Sequence, residues 1–277
     1  MVPTNSQGIF RFTLVQRLFH AFLLVSFLIQ AATGLGRMTM ETGWGRGVLS
    51  IFGGYDASRD VHIFVGRLML VVLLIHIIYL MTKVDWKHLP KSLWSQDSLV
   101  PRPADVRQFF QHLGWMLGMR KYPEFDRWGY WEKFDYWAVF WGMVVIGGTG
   151  LLMTYPFWST GFMPGWGLNV AFWVHRIEAI LAIAHVFIIH FFIAHLRRSS
   201  FPMDRAMFSG NAGLSLTRHE RSAWVERLEA DGGMNALMVP QDAGIVKTVH
   251  FVVGCTAVVI GLYLLIGAAI SVFQITW

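Results

Sequence analysis

The sequence predicts an all-α integral membrane fold of five transmembrane helices, four of them forming one bundle and the fifth added to it. Three observations predict it. The chain of 277 residues is 55% hydrophobic and only 14% charged, whereas charged residues make up about a quarter of an ordinary soluble domain. Several stretches run for about 20 residues almost without charge, the length needed to cross a hydrocarbon core about 30 Å thick. The basic residues gather in the segments between those stretches, where they orient a chain in a membrane.

The spans follow in order. The first covers about 13–36 and closes at Thr33-Gly34-Leu35-Gly36. It is long and lacks a small-residue cleavage site, so it reads as a retained helix rather than a signal peptide. The second covers about 61–82, and the third about 134–154, ending before Pro156, which cannot continue a helix. The fourth covers about 171–197 and the fifth about 246–273. The chain then reads as a single membrane domain over 1–277, with a four-helix bundle at about 10–200, a cytoplasmic segment at about 198–245 and the fifth helix after it. Within 103–119, the apolar spacing suits an amphipathic helix, either lying on the inner membrane surface or packed on a partner.

Loop charge sets the orientation. The 83–133 segment carries nine basic residues from Lys83 to Lys133, and 198–245 carries Arg198, Arg205, Arg218, Arg221 and Arg227. The 37–60 loop has only Arg37, Arg46 and Arg59, and 155–170 has none. The positive-inside rule puts the N-terminus and both basic loops in the cytoplasm, and five spans then put the C-terminus in the periplasm. The formal net charge of +6 is accounted for by this orientation and does not call for a nucleic-acid partner. The one cysteine, Cys255, cannot form an internal disulfide, an iron–sulfur cluster or a covalent c-type haem attachment.

The histidines carry the chemistry. His62 and His76 lie fourteen residues apart on the second span, and His175 and His190 fifteen apart on the fourth. At 1.5 Å per residue each pair spans roughly 21–22 Å along the helix axis. Both helices run from outside to inside, so His62 matches His175 in depth near the outer face, and His76 matches His190 near the inner face. Polar groups inside a bilayer are costly and mark function. Two facing helices of this kind can hold two metal-centred planar rings, one near each membrane face. Residues His62 and His175 would clamp an outer haem. The inner haem would use His190 with either His76 or His20, which sits on the first span at a similar depth. At about 100° per residue, fourteen residues return to nearly the same helix face, whereas fifteen overshoot by about 60°. The second pair therefore needs local twisting or a π-bulge. The alternative His185 turns about 80° off His175 and lies only about 15 Å below it.

Two arginines fit the same reading. Arg67 lies five residues after His62, and Arg176 follows His175 directly. Haem propionates would satisfy their charge, although Glu178 is a sufficient partner for Arg176. The residues Gly66, Gly142, Gly147, Gly148 and Gly150 either admit a flat ring or mediate plain helix packing. His195, at the end of the fourth span, reads as an interfacial residue or as a quinone or proton ligand. His250 reads as interfacial packing, and His88, His112 and His219 as solvated loop residues.

Several motifs resemble a known group. RLFH at 17–20 followed by TG at 33–34, HIFVG at 62–66 and the multi-histidine fourth helix resemble the di-haem cytochrome b membrane subunits of formate dehydrogenases and nickel–iron hydrogenases. EKFDYWAVFWG at 132–142 and FPMDRAMFSG at 201–210 resemble a branch of that group with multihaem or iron–sulfur partners. The resemblance covers roughly 10–210. It implies a four-helix bundle with two bis-histidine b haems and a quinone site, menaquinone or ubiquinone, in a bacterial inner membrane. It also implies periplasmic or membrane-attached redox subunits of iron–sulfur, multihaem c or molybdoenzyme type. Carried over by motif, the ligands are His20, His62, His175 and His190. The chain departs from the pattern in adding His76, in the fifteen-residue spacing and in the fifth helix.

The sequence thus points to a quinone-reactive electron-transfer subunit of an oxidoreductase complex, with His195, Lys83, Glu132 and Asp135 as candidates at the quinone. Two rivals stand beside it. A haem-free anchor for a soluble redox enzyme explains the apolar helices but not the matched histidine depths. A histidine-lined ion transporter would place acidic or broken helices near mid-membrane.

Overall fold

The structure, a computed structural model, describes residues 7–240 and 242–274. Among the described residues, five helices are long and apolar enough to cross a membrane: Leu14–Met38, Tyr55–Lys83, Tyr130–Thr154, Trp166–Leu196 and, by its α-helical part, Gly244–Ser271. They are called the first to fifth spans below. The all-α membrane class holds. To it is added a small antiparallel sheet of three strands, β1 (Gln7–Phe10), β2 (Asn211–Gly213) and β3 (Met238–Pro240), in the order β2-β1-β3.

The chain divides into two compact units. One comprises Leu18–Ile77, Phe140–Asp204 and the chain from His250 onward. Its core is Ala31 and Leu35 of the first span, Phe187 and Phe191 of the fourth and Leu264 of the fifth. Small residues let the fifth span approach closely. A Cβ on Gly254 would stand 2.9 Å from Pro202 Cγ, and one on Gly261 would run into Phe191 and Phe187. The fourth span is α-helical over Trp166–Ala184 and then π-helical over His185–His190 and Phe192–Leu196. A π turn adds a residue to the repeat, which is the rotational adjustment that fifteen residues between His175 and His190 require.

The other unit comprises the chain up to Arg17, Ile78–Val139 and Arg205–Val249. Here β1 pairs with β2 through Ile9 opposite Ala212 and with β3 through Gly8 opposite Val239. Beyond β1 the backbone amides of Arg11 and Phe12 both donate to the Gly210 carbonyl, at 2.8 and 3.1 Å. Gly210 has φ +93°, a left-handed conformation that glycine alone adopts at no steric cost. Phe12 packs with Trp128 and Ala206 in a small core.

Ion pairs tie this unit together. Glu132 accepts from Arg11, from Arg221 at 2.9 Å and from the Gly129 amide at 2.7 Å. The last bond closes the N-terminus of the third span, which starts at Tyr130 and not at 134. Lys133 is 1% exposed and donates to both carboxylate oxygens of Asp105, at 2.8 and 3.0 Å. Arg227 bridges Asp97 and Asp126, at 2.9 and 2.7 Å. Burial disfavours its charge, but those hydrogen bonds outweigh it and its pKa rises. In Arg221 burial is the larger effect, and its pKa falls despite Glu132.

The amphipathic helix is present over Pro103–Met116. It exposes Val106, Phe109, Phe110 and Leu113 and buries Asp105 and Gly114. His112 on this helix is a correction: it is not a solvated loop residue. Its ring sits among Tyr122, Phe125 and Trp131, and its Nδ1 lies 3.0 Å from the Tyr130 hydroxyl. His88 is exposed, as expected; His219 is exposed too, but it lies in the helix Leu214–Glu220 with its ring stacked on Tyr122 at 6.0 Å, and not in a loop.

Candidate functional site

The outer histidines meet across the second and fourth spans, with ring centroids 6.2 Å apart. A metal–imidazole nitrogen bond is about 2 Å, as for zinc. Two imidazoles bound on opposite sides of one metal therefore place their centroids about 6 Å apart. The observed separation leaves room for one metal-centred ring between them.

Each outer histidine is held from behind by the preceding span. His62 Nδ1 lies 2.8 Å from Thr33 Oγ1, and Thr33 donates its own hydroxyl proton to the Ile29 carbonyl at 2.7 Å. His175 Nδ1 lies 2.9 Å from the Ile146 carbonyl and 3.2 Å from Thr149 Oγ1, while Thr149 donates to the Val145 carbonyl at 2.6 Å. A carbonyl oxygen only accepts, so His175 carries its proton on Nδ1. The occupied Thr33 hydroxyl assigns His62 the same tautomer. Both rings keep Nε2 as a lone-pair donor. The glycine after each threonine lies against the ring: a Cβ on Gly34 would stand 3.4 Å from His62 Cε1, an ordinary contact, and one on Gly150 3.3 Å from His175 Cε1. Gly150 thus admits an imidazole edge. Gly66 faces the Gln30 amide and Gly147 faces Leu70, both plain helix packing.

At the inner end, His20 and His190 have ring centroids 6.5 Å apart, the same separation class as the outer pair. His195 joins them, 5.9 Å from His190, with its Nδ1 hydrogen-bonded to the Pro202 carbonyl at 2.8 Å. It is 2% exposed, so it is a buried residue. His76 lies elsewhere, packed edge-on to Phe19 at 4.5 Å and against Phe140 at 5.8 Å. His185 opens the π-helical stretch. His250 is buried and anchors the fifth span by its Nε2 to the Met203 carbonyl, at 2.8 Å.

The arginines divide. Arg67 lies over the Tyr155 ring and Arg176 over the Trp173 ring, 5.1 and 5.7 Å from the centroids. Arg37 went unread in the sequence except as a loop charge. Its charge acts on both His62 and His175, it lies over the Tyr55 ring at 5.0 Å and donates to the Tyr55 hydroxyl at 3.3 Å, and its buried Nε has no hydrogen-bond partner among the described residues. A buried donor near the two imidazoles suits an anionic partner, and a haem propionate would fit it. Among the quinone candidates, Glu132 is engaged by two arginines and an amide, and Lys83 lies over the Tyr79 ring. Among the described residues, no three of histidine, cysteine, aspartate and glutamate converge as a site for a free metal ion.

Five apolar helices with imidazoles facing at this separation define a multi-pass membrane haem protein of b type. The sequence model of the prokaryotic cytochrome b561 family matches residues 11–210, and the chain belongs to that family. It is therefore a membrane electron-transfer protein that binds haem b. No curated protein matches the chain.

Proposed function

We propose that the chain is a di-haem cytochrome b subunit of the formate dehydrogenase or hydrogenase type. In this reading it carries electrons across a bacterial inner membrane between the quinone pool and a periplasmic redox partner. The observation that carries it is the pair of facing imidazole sets, His62 with His175 at 6.2 Å and His20 with His190 at 6.5 Å. His20 takes the inner position over His76 because its ring faces His190, whereas the His76 ring packs between Phe19 and Phe140. When bound, each haem would supply a one-electron carrier whose potential the histidines, their hydrogen bonds and the burial of the site would set.

The residues of the chain do the rest. His62 and His175, whose Nδ1 atoms are taken by the bundle, would hold one haem through Nε2, and His20 and His190 would hold the other. Arg37 on the first span would neutralise propionate at the outer site, with Arg67 on the second span and Arg176 on the fourth as further cations. His195, buried beside His190, takes or gives protons as a quinol loses two electrons and two protons at the inner side. The inside-positive loop charges support a cytoplasmic N-terminus. A haem-free anchor does not account for two imidazole pairs at bis-ligand separation.

Quinol addition tests the reading. The purified chain, loaded with haem, is mixed anaerobically with a reduced naphthoquinone or benzoquinone analogue, and the b-haem absorbance is followed. Reduction of the haems on mixing supports quinone reactivity. Haems that are reduced by dithionite but untouched by either quinol class contradict it.

A further inference from the structure

The two Thr-Gly dipeptides of the bundle do the same work at equivalent places. Thr33-Gly34 on the first span backs His62 on the second, and Thr149-Gly150 on the third backs His175 on the fourth. In each, the hydroxyl donates back to the carbonyl four residues earlier, at 2.7 and 2.6 Å, so its oxygen can only accept from the imidazole. The following glycine lies against the ring edge in each, at 3.4 Å for Gly34 and, more tightly, 3.3 Å for Gly150, measured from the position of a Cβ. A hydroxyl turned to its own helix backbone and a missing side chain beside it form a socket for one imidazole in one tautomer.

We propose that Thr33 and Thr149 are positioning residues that set the reduction potential of the outer haem, and that they do so unequally. The inference rests on His62 and His175 being the outer ligands. A hydrogen bond from Nδ1–H to an acceptor makes the imidazole a stronger electron donor and fixes its orientation at the metal. A stronger donor stabilises the oxidised iron and lowers the potential. For His62 the acceptor is Thr33 Oγ1, at 2.8 Å. For His175 the closer acceptor is the Ile146 carbonyl, at 2.9 Å, with Thr149 behind it at 3.2 Å. Deleting the Thr33 hydroxyl removes the contact that fixes the His62 tautomer, whereas deleting that of Thr149 leaves a carbonyl in place. The buried position of Thr33, 0% exposed, keeps water from replacing the lost acceptor.

The test is a redox titration of the haem-loaded chain carrying Thr33→Val, Thr33→Ser or Thr149→Val, followed by low-temperature EPR. The outer haem is identified as the one lost in His175→Ala. Thr33→Val should shift the outer-haem equilibrium towards the reduced form roughly tenfold, a rise of about 59 mV for one electron. It should also change that haem's low-spin EPR signal and leave the inner haem alone. Thr33→Ser should restore both readouts, and Thr149→Val should shift the equilibrium less than Thr33→Val. Loss of the outer haem in Thr33→Val with retention in Thr33→Ser supports the same role, since the hydroxyl alone differs in kind. Equal effects of valine and serine, or an unchanged potential in a haem-replete Thr33→Val chain, overturn it. In the latter case the haem assignment stands; a wild-type chain without b haem would sink that reading and this inference together.

Discussion

The Lys133–Asp105 pair fixes the start of the third span to the amphipathic helix, and its removal has a calculable consequence. Lys133 is 1% exposed and Asp105 7%, and the ammonium reaches both carboxylate oxygens at 2.8 and 3.0 Å. Asp105 also accepts from the Arg102 amide at 2.6 Å, which closes the first turn of the helix. Removing one partner of a buried pair leaves a charge without compensation and costs about 3–5 kcal/mol. Lys133→Met should therefore lower the stability of this unit by about that amount, a factor of roughly 10²–10⁴ in its opening equilibrium. Replacing both residues, as Lys133→Met with Asp105→Leu, removes the charge penalty together with the attraction. The double variant should lie nearer to the wild type than Lys133→Met does. The assay is native-state proteolysis in detergent, with cleavage rates within 103–133 read by mass spectrometry. Single changes that cost less than about 1 kcal/mol each, and that simply add in the double variant, would refute the reasoning.

Three further outcomes follow from the same geometry. His20→Ala should lose one of the two b haems while His76→Ala keeps both, as read from the haem-to-protein ratio; the reverse pattern would move the inner ligand to the second span. Gly261→Leu should force the fifth span away from Phe191 and Phe187, at a cost of about 1–3 kcal/mol typical of overpacking, measured as a lower melting temperature of the solubilised chain. Arg37→Gln should lower the outer-haem potential, because a positive charge beside the site favours the reduced state, by of order 1 kcal/mol in a redox titration. That sign is opposite to the one expected for Thr33→Val, so the two perturbations check each other.

The spans were readable because a bilayer demands about 20 apolar residues in a row and the chain shows five such runs. The depth match of His62 with His175 was readable for the same reason: helical rise converts residue number directly into depth. The fifteen-residue spacing on the fourth span signalled a local change of helical repeat, and π-helical turns lie over His185–His190. What the sequence left open was rotation and local pairing. His20 and His76 share a depth, and only side-chain packing, with Phe19 and Phe140 against His76, separates them. The sheet was illegible because QGIF, NAG and MVP are too short to show alternation. Arg37 and the Thr-Gly sockets were illegible as a site because their meaning depends on a neighbouring helix. Glu132 looked available for protons in the sequence, yet three donors surround it.

The central claim is that the chain holds two haems, each between two histidines. Pyridine haemochrome analysis of the purified chain against a quantitative amino-acid measurement counts them directly. Two b haems per chain are expected, falling to one in His175→Ala and to one in His190→Ala, with the remaining haem low-spin in each. A single haem in the wild type, or an unchanged count in both variants, would contradict it.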